Sequence, residues 1–235
     1  VHALSVDVAH GLCTGESGAE IVAEAMESGG ASPSELEMAW CERRGGRRAA
    51  RLRRTTIPSH DGRTSWAPVG GSFVVTGGLG GLGMRAATLL VERCATRVVL
   101  GSRQGRVARG GQGLAAQLSS LGEAGDVVAC DSAEPRDMRA MLCRAQPLRG
   151  VLHAAGAADK GLVADVEARD LAQMFGPKAV GAWWLHSGCA ASALEAKVLY
   201  SSVGSGFGNV GQATYAAGNS CLDALALSRR VHGLV

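Results

Sequence analysis

Four polar side chains in the second half of the chain have the right types to deliver a proton to a developing oxygen anion. Tyr215 and Asn219 are spaced Tyr-x-x-x-Asn, and Lys178 and Ser202 lie upstream. The phenol is a proton donor, the ammonium a cation to tune it, the Ser202 hydroxyl a holder for a carbonyl, and the Asn219 amide a brace. Ahead of them stands a glycine-rich turn, Thr76-Gly77-Gly78-Leu79-Gly80-Gly81-Leu82-Gly83. Either feature alone is a weak signal. Together, in this order, they point to hydride transfer to a carbonyl.

The elements that must position these groups follow from the hydrophobic pattern. From residue 72 onward short Val/Leu strands alternate with helical patterns. Strands are expected at Phe73–Thr76, Arg97–Gly101, Asp126–Cys130, Gly150–His153 and Ala196–Ser201, with helices near 82–94, 110–121, 135–145, 167–190 and 213–231. That alternation predicts an α/β fold, a doubly wound parallel sheet of Rossmann type. Residues 1–56 read as a separate small α/β piece. It has a strand near Leu4–Val8, a helix near Glu20–Glu27, and a hairpin of Leu36–Cys41 and Ala49–Arg54 turning at Gly45-Gly46. Residues 57–71, with two prolines and paired glycines, read as a linker to the domain at 72–235.

Composition narrows the partners. Of 235 residues 46% are hydrophobic and only nine are aromatic, so the core must be built mostly from Val, Leu and Ala. A net charge of +3 is too small to imply nucleic acid or a membrane surface. The arginine run from Arg43 to Arg54 is balanced by nine acids among the first 70 residues and carries no aromatic to stack bases. It reads as a solvated hairpin or a contact for an acidic carrier protein. The seven cysteines are scattered and never spaced Cys-x-x-Cys. That argues against a disulfide framework or a zinc site and fits a reducing, cytoplasmic setting. The uncharged stretch from Val198 to Leu222 is too rich in glycine and polar residues to span a bilayer and reads as a buried polar site.

The glycine turn lies between an apolar strand and a helix, the context in which a backbone approaches a pyrophosphate and a helix N-terminus faces its charge. Thr76, Gly77, Gly78, Gly80, Gly81, Leu82 and Gly83 are the residues expected there. At the end of the second strand, where an acidic residue would hold the ribose of NADH, the chain has Ser102-Arg103. An arginine fork suits a 2′-phosphate, so the expected cofactor is NADPH. Asp131, with Ser132, ends the third strand, where a carboxylate could accept from the adenine amine. Ala154, Ala155 and Gly156 follow the fourth, small enough for a cofactor to lie against, and His153 reads as a satisfied core residue.

These motifs, together with Lys178-x-x-Gly181-x-x-x-Leu185-His186 and Ser201-Ser202-Val203-Gly204, occur in the order of one family. Residues 72–235 resemble the ketoreductase domain of a modular type I polyketide synthase, a branch of the short-chain dehydrogenase/reductases. The N-terminal piece, with Met38-Ala39-Trp40, resembles the end of that family's structural subdomain. The resemblance implies NADPH-dependent reduction of a β-ketoacyl thioester carried on phosphopantetheine by an acyl carrier protein, beside neighbouring synthase domains. It also implies Tyr215 as acid, Lys178 as the cation that lowers the phenol from its ordinary value near 10 and holds the nicotinamide ribose, Ser202 on the substrate carbonyl, and Asn219 fixing the lysine.

Most of the superfamily places lysine four residues after the tyrosine. The ketoreductase branch exchanges lysine and asparagine, and Lys178, 24 residues before Ser202, fits that exchange. The fingerprints of product configuration are incomplete: Ala158-Asp159-Lys160 keeps a single acid, and Phe207 stands eight residues before Tyr215 where one subtype carries tryptophan. A fatty-acid-synthase reductase and a scaffold that has lost activity are the alternatives. Full domains of the family continue with a further strand, a lid and a final strand, so this segment alone is expected to be weakly active or inactive.

Overall fold

The computed structural model describes residues 70–107, 112–157 and 161–233, together with the backbone of three short strands nearer the N-terminus. Two compact units divide the chain, Val1–Asp61 and Gly62–Val235. In the first, β1 (Ser5–Val8) pairs in parallel with β2 (Glu37–Trp40), which pairs antiparallel with β3 (Arg47–Ala49). The hairpin register differs from the expected one. Trp40 pairs with Arg47, so strand resumes directly after Gly45-Gly46, two residues earlier than the arm expected from Ala49. The expected helix near Glu20–Glu27 and most of the 57–71 segment lie outside the described residues.

The second unit is the doubly wound sheet. Its strands are β4 (Ser72–Thr76), β5 (Arg97–Ser102), β6 (Gly125–Ala129), β7 (Leu148–His153) and β8 (Ala196–Leu199). They lie in the order β6-β5-β4-β7-β8, every pairing parallel. Successive side chains of a strand face opposite sides, and β4 uses both. Phe73 and Val75 join Met84, Leu90, Val98, Leu100 and Leu114 beneath α1 (Gly81–Glu92) and α2 (Leu114–Ser120). Val74 instead joins Val99, Met138, Met141, Leu142, Val151 and Leu185 beneath α3 (Pro135–Arg144) on the other face.

The expected helix over 167–190 is continuous but not uniform. It runs as α4 (Ala168–Phe175), a π turn at Gly176–Val180, and α5 (Gly181–Gly188). Pro177 lacks the N–H that would close an ordinary α-turn, which accounts for a wider turn at this point. Beyond β8, a four-residue helix α6 (Gly204–Phe207), not foreseen from the sequence, leads to the long α7 (Ala213–Val231). No described helix is long and apolar enough to cross a membrane.

His153, at the end of β7, is fully buried and tied on both sides. Its Nε2 lies 2.9 Å from the Lys178 carbonyl, which can only accept, so Nε2 carries the proton. Nδ1 then accepts from the Thr76 hydroxyl at 2.7 Å. Burial pushes this imidazole down to about 4, from an ordinary value of 6.5, against the pull of the Lys178 carbonyl. Unfolded His153 takes a proton as pH falls through 6.5, whereas folded His153 resists until about 4. Its contribution is therefore complete above pH 6.5 and is lost as pH falls towards 4, by on the order of 3 kcal/mol. Urea unfolding at pH 7 and pH 4.5 should show wild type losing about 2 kcal/mol more than His153→Gln. Equal losses in the two proteins would contradict this.

Candidate active site

In a parallel sheet the carboxyl ends of the strands share one edge, and the chain changes winding direction between β4 and β7. The glycine turn leaves β4 at that point. Gly77 has φ +65°, and a Cβ there would stand 2.6 Å from the Ala154 carbonyl oxygen, so only glycine fits against the loop after β7. A Cβ on Gly81, by contrast, would meet nothing within 4 Å. The Gly80 N-cap of α1 offers no side-chain cap, and the first turn holds no acid. The turn thus presents backbone N–H groups and a positive helix end to an open space suited to phosphate. Leu82 is exposed beside it.

At the end of β5, the Ser102 hydroxyl is buried without a hydrogen-bond partner, and Arg103 is exposed immediately after it. A hydroxyl without a partner, followed in the chain by an exposed arginine, fits an anionic ligand group at this strand end. The residues after β6 are committed differently. Asp131 accepts from the Ala133 N–H at 3.0 Å through Oδ1, and the Ser132 hydroxyl donates to the Pro177 carbonyl at 3.3 Å. Thr76 likewise gives its hydroxyl to His153. Ser132 and Thr76 therefore use their side-chain groups to join elements of the fold. Ala154 bonds Thr76 through its backbone, and Ala155 is buried. Asp159, with Ala158 and Lys160, lies outside the described residues.

The four groups proposed for proton transfer come from three segments, and contacts join three of them directly. The π turn carries Lys178, whose side chain is 5% exposed. Its ammonium donates to Asn219 Oδ1 at 2.8 Å and, at 3.5 Å, to the Tyr200 carbonyl. It stands 5.4 Å from the centre of the Tyr215 ring. Asn219, fully buried, donates through Nδ2 to the Tyr215 carbonyl at 2.8 Å, one turn earlier in α7. One amide therefore braces both the cation and the helical turn that bears the phenol. Ser202 Oγ accepts from the Gly204 N–H at 3.1 Å, which leaves its own proton to donate. A Cβ on Gly204 would stand 3.4 Å from Ser202 Oγ and 3.9 Å from Tyr215 Cε1, so the two groups flank one small gap.

Burial holds the Lys178 ammonium below its ordinary value, and the negative charge of Asp223, one turn past Asn219, opposes that shift. The stem is equally confined. A Cβ on Gly156 would stand 2.9 Å from Lys178 Cε, and one on Gly218 would stand 3.6 Å from Cδ. The sequence marks Gly156 as a place for cofactor; the structure shows that its missing side chain also makes room for the lysine. Neither the π turn nor this packing was read from the sequence, although Gly176-Pro177 inside a helical pattern was the available signal. Gly156→Ala should displace the ammonium, visible as a shifted ε-CH2 signal of Lys178 in heteronuclear NMR. The thermal midpoint should fall by less than about 5 °C, because a flexible side-chain end can yield. An unmoved Lys178 signal would contradict the packing argument.

Comparison with known proteins agrees with this geometry. A family model described as the KR domain matches residues 71–235. The chain is 43% identical over 180 residues to the polyketide synthase GfsA of Streptomyces halstedii, covering 74% of this chain and 2% of that protein. It is 42% identical over 175 residues to the spectinabilin polyketide synthase system protein NorB of Streptomyces orinoci, covering 72% of this chain and 8% of that protein. A solved structure of A-type ketoreductases from a modular polyketide synthase superposes with a TM-score of 0.78 at 37% identity, over 99% of this chain and 48% of that one. A solved A1-type ketoreductase gives 0.78 at 36%, again with 99% and 48% coverage. The chain thus spans about half the length of these solved structures and a small fraction of the synthases. With its five parallel strands, glycine turn and family match in agreement, the chain belongs to the ketoreductase (KR) domains of modular polyketide synthases, within the short-chain dehydrogenase/reductase superfamily.

Proposed function

We propose that this domain reduces the β-keto group of a β-ketoacyl thioester, borne on the phosphopantetheine of an acyl carrier protein, to a β-hydroxyacyl thioester with NADPH. The observation that carries this reading is the Lys178–Asn219 contact at 2.8 Å beside Tyr215. It supplies a cation next to the phenol from a different helix than in most of the superfamily. Family membership supports ketoreduction in polyketide synthesis.

When bound, a dihydronicotinamide would supply the hydride. The open N-terminus of α1 suits its pyrophosphate, and the Ser102 hydroxyl with the Arg103 fork suits a 2′-phosphate. Ser202, its oxygen held by the Gly204 N–H, donates to the substrate carbonyl and polarises it. As the carbonyl carbon is reduced, the oxygen takes up negative charge, and Tyr215 gives it the phenolic proton. Lys178 offsets the charge left on the tyrosine oxygen. Asn219 prevents the ammonium from swinging away.

In this reading residues 1–56 belong to the structural subdomain, 57–71 to a linker and 72–235 to the catalytic domain. The three-stranded sheet and the division of the chain near residue 61 support that arrangement. Neighbouring synthase domains would lie in the same polypeptide, and the reaction would run in the cytoplasm, where the described free cysteines stay reduced.

Two measurements test the roles. With a β-ketoacyl N-acetylcysteamine thioester and the domain within its complete synthase polypeptide (the full chain), Tyr215→Phe should lower kcat at least about 10³-fold while leaving NADPH binding intact. A Tyr215→Phe rate equal to wild type would remove the proton donor from the account. Arg103→Ala should raise the KM for NADPH about 10- to 100-fold, the worth of a charge-assisted hydrogen bond, and leave NADH use unchanged. Equal loss with both cofactors would remove only the role given to Arg103.

A further inference from the structure

Lys178 is fixed at two ends, and only one of them belongs to the group just described. Its ammonium is fixed by Asn219 and its stem by Gly156 and Gly218. Its backbone is held from the sheet. Two successive carbonyls of the π turn accept side-chain donors from the strand ends: Pro177 from the Ser132 hydroxyl at 3.3 Å, and Lys178 from His153 Nε2–H at 2.9 Å. A wide turn leaves carbonyls splayed from the helix axis and able to take such outside donors. The fit on the sheet side is close, since a Cβ on Gly181 would stand 3.1 Å from His153 Cε1 and 3.0 Å from Ser132 Cβ.

The far nitrogen of His153 reaches the other half of the site. Nδ1 accepts from Thr76 Oγ1 at 2.7 Å, and Thr76 is the last residue of β4 before the glycine turn. One neutral, fully buried imidazole therefore spans the nucleotide turn and the main chain of the lysine. A lysine side chain has four freely rotating bonds, so an ammonium placed to within half an ångström needs its root fixed as well as its head.

We propose that His153 is a positioning residue that couples the glycine turn to the π turn and so sets where the Lys178 ammonium stands. The proposal rests on the reading of Lys178 as the cation beside Tyr215, and it assigns His153 no contact with substrate or cofactor. Removing the imidazole unpairs the Thr76 hydroxyl and takes from the Lys178 carbonyl its donor on the sheet side, leaving it only the backbone N–H at the end of the π turn. Gln can replace both bonds, because it offers one donor and one acceptor, whereas Leu fills the space and offers neither.

The test compares His153→Leu, His153→Gln and Thr76→Val in the full chain, by steady-state kinetics and by amide hydrogen exchange of segment 176–181. His153→Leu should lower kcat about 10- to 100-fold with substrate KM changed less than about threefold, since the loss is one of placement. His153→Gln should stay within about threefold of wild type, and Thr76→Val should fall between them. The Thr76→Val/His153→Leu double variant should be no slower than His153→Leu alone, because one connection is being removed twice. Exchange in 176–181 should quicken in His153→Leu while β4 and β5 stay protected. Unchanged kcat and exchange in His153→Leu would overturn the proposal. So would equal rate losses in the Leu and Gln variants that track thermal stability. If His153→Leu does not fold, the Gln and Thr76→Val comparison decides the question. Should wild type reduce no acyl thioester at all, the functional reading fails, and the exchange measurement still decides the coupling.

Discussion

The contact on which the site depends is the one between the Lys178 ammonium and the Asn219 side-chain oxygen, 2.8 Å apart and buried. Taking a cation out of water is costly unless fixed dipoles replace its hydration. Here those dipoles are an amide oxygen and the Tyr200 carbonyl, and the Asp223 charge helps to retain the proton. Because the same amide donates to the Tyr215 carbonyl, the lysine and the tyrosine helix are held in one frame. The cation needs no flexible partner, so its position is settled before a substrate arrives.

That frame is delivered by the sheet. Parallel strands end together, and the buried Val and Leu residues on both faces make the strand ends rigid. Gly77 lets the glycine turn lie against the Ala154 backbone, and His153 reaches from the neighbouring strand β7 into the π turn. Buried polar groups here are joined to one another and bind separate elements: Thr76 to His153, His153 to Lys178, and Ser132 to Pro177. Such bonds contribute direction more than net energy, since each replaces a bond to water.

Much of this was legible in the residues. All five expected strands of the main sheet occur, with ends moved by one or two residues, because short Val/Leu runs between glycines have few other uses. The family and the exchanged lysine and asparagine were also visible as ordered motifs. The shape of the 167–190 helix was not, because each α-helical part is only eight residues long, too short for the phase shift of one wide turn to stand out in the hydrophobic period. The four-residue helix at Gly204–Phe207 is too short to show a period. Ser132 and Thr76 are expected at the cofactor from the motif, and that their hydroxyls also bond Pro177 and His153 could be revealed only by a partner from elsewhere in the chain. His153 was read as a satisfied core residue, which its two bonds bear out, but its partners, Thr76 and Lys178, lie 77 and 25 residues away.

The central claim is that the cation beside Tyr215 comes from the π turn and that only its position, not its place in the sequence, matters. The direct measurement is turnover of a β-ketoacyl N-acetylcysteamine thioester by Lys178→Asn, and by the exchanged pair Lys178→Asn/Asn219→Lys, in the full chain. Lys178→Asn should lose at least about 100-fold in kcat, and the exchanged pair should recover at least about tenfold of it. Wild-type turnover by Lys178→Asn alone would contradict the account.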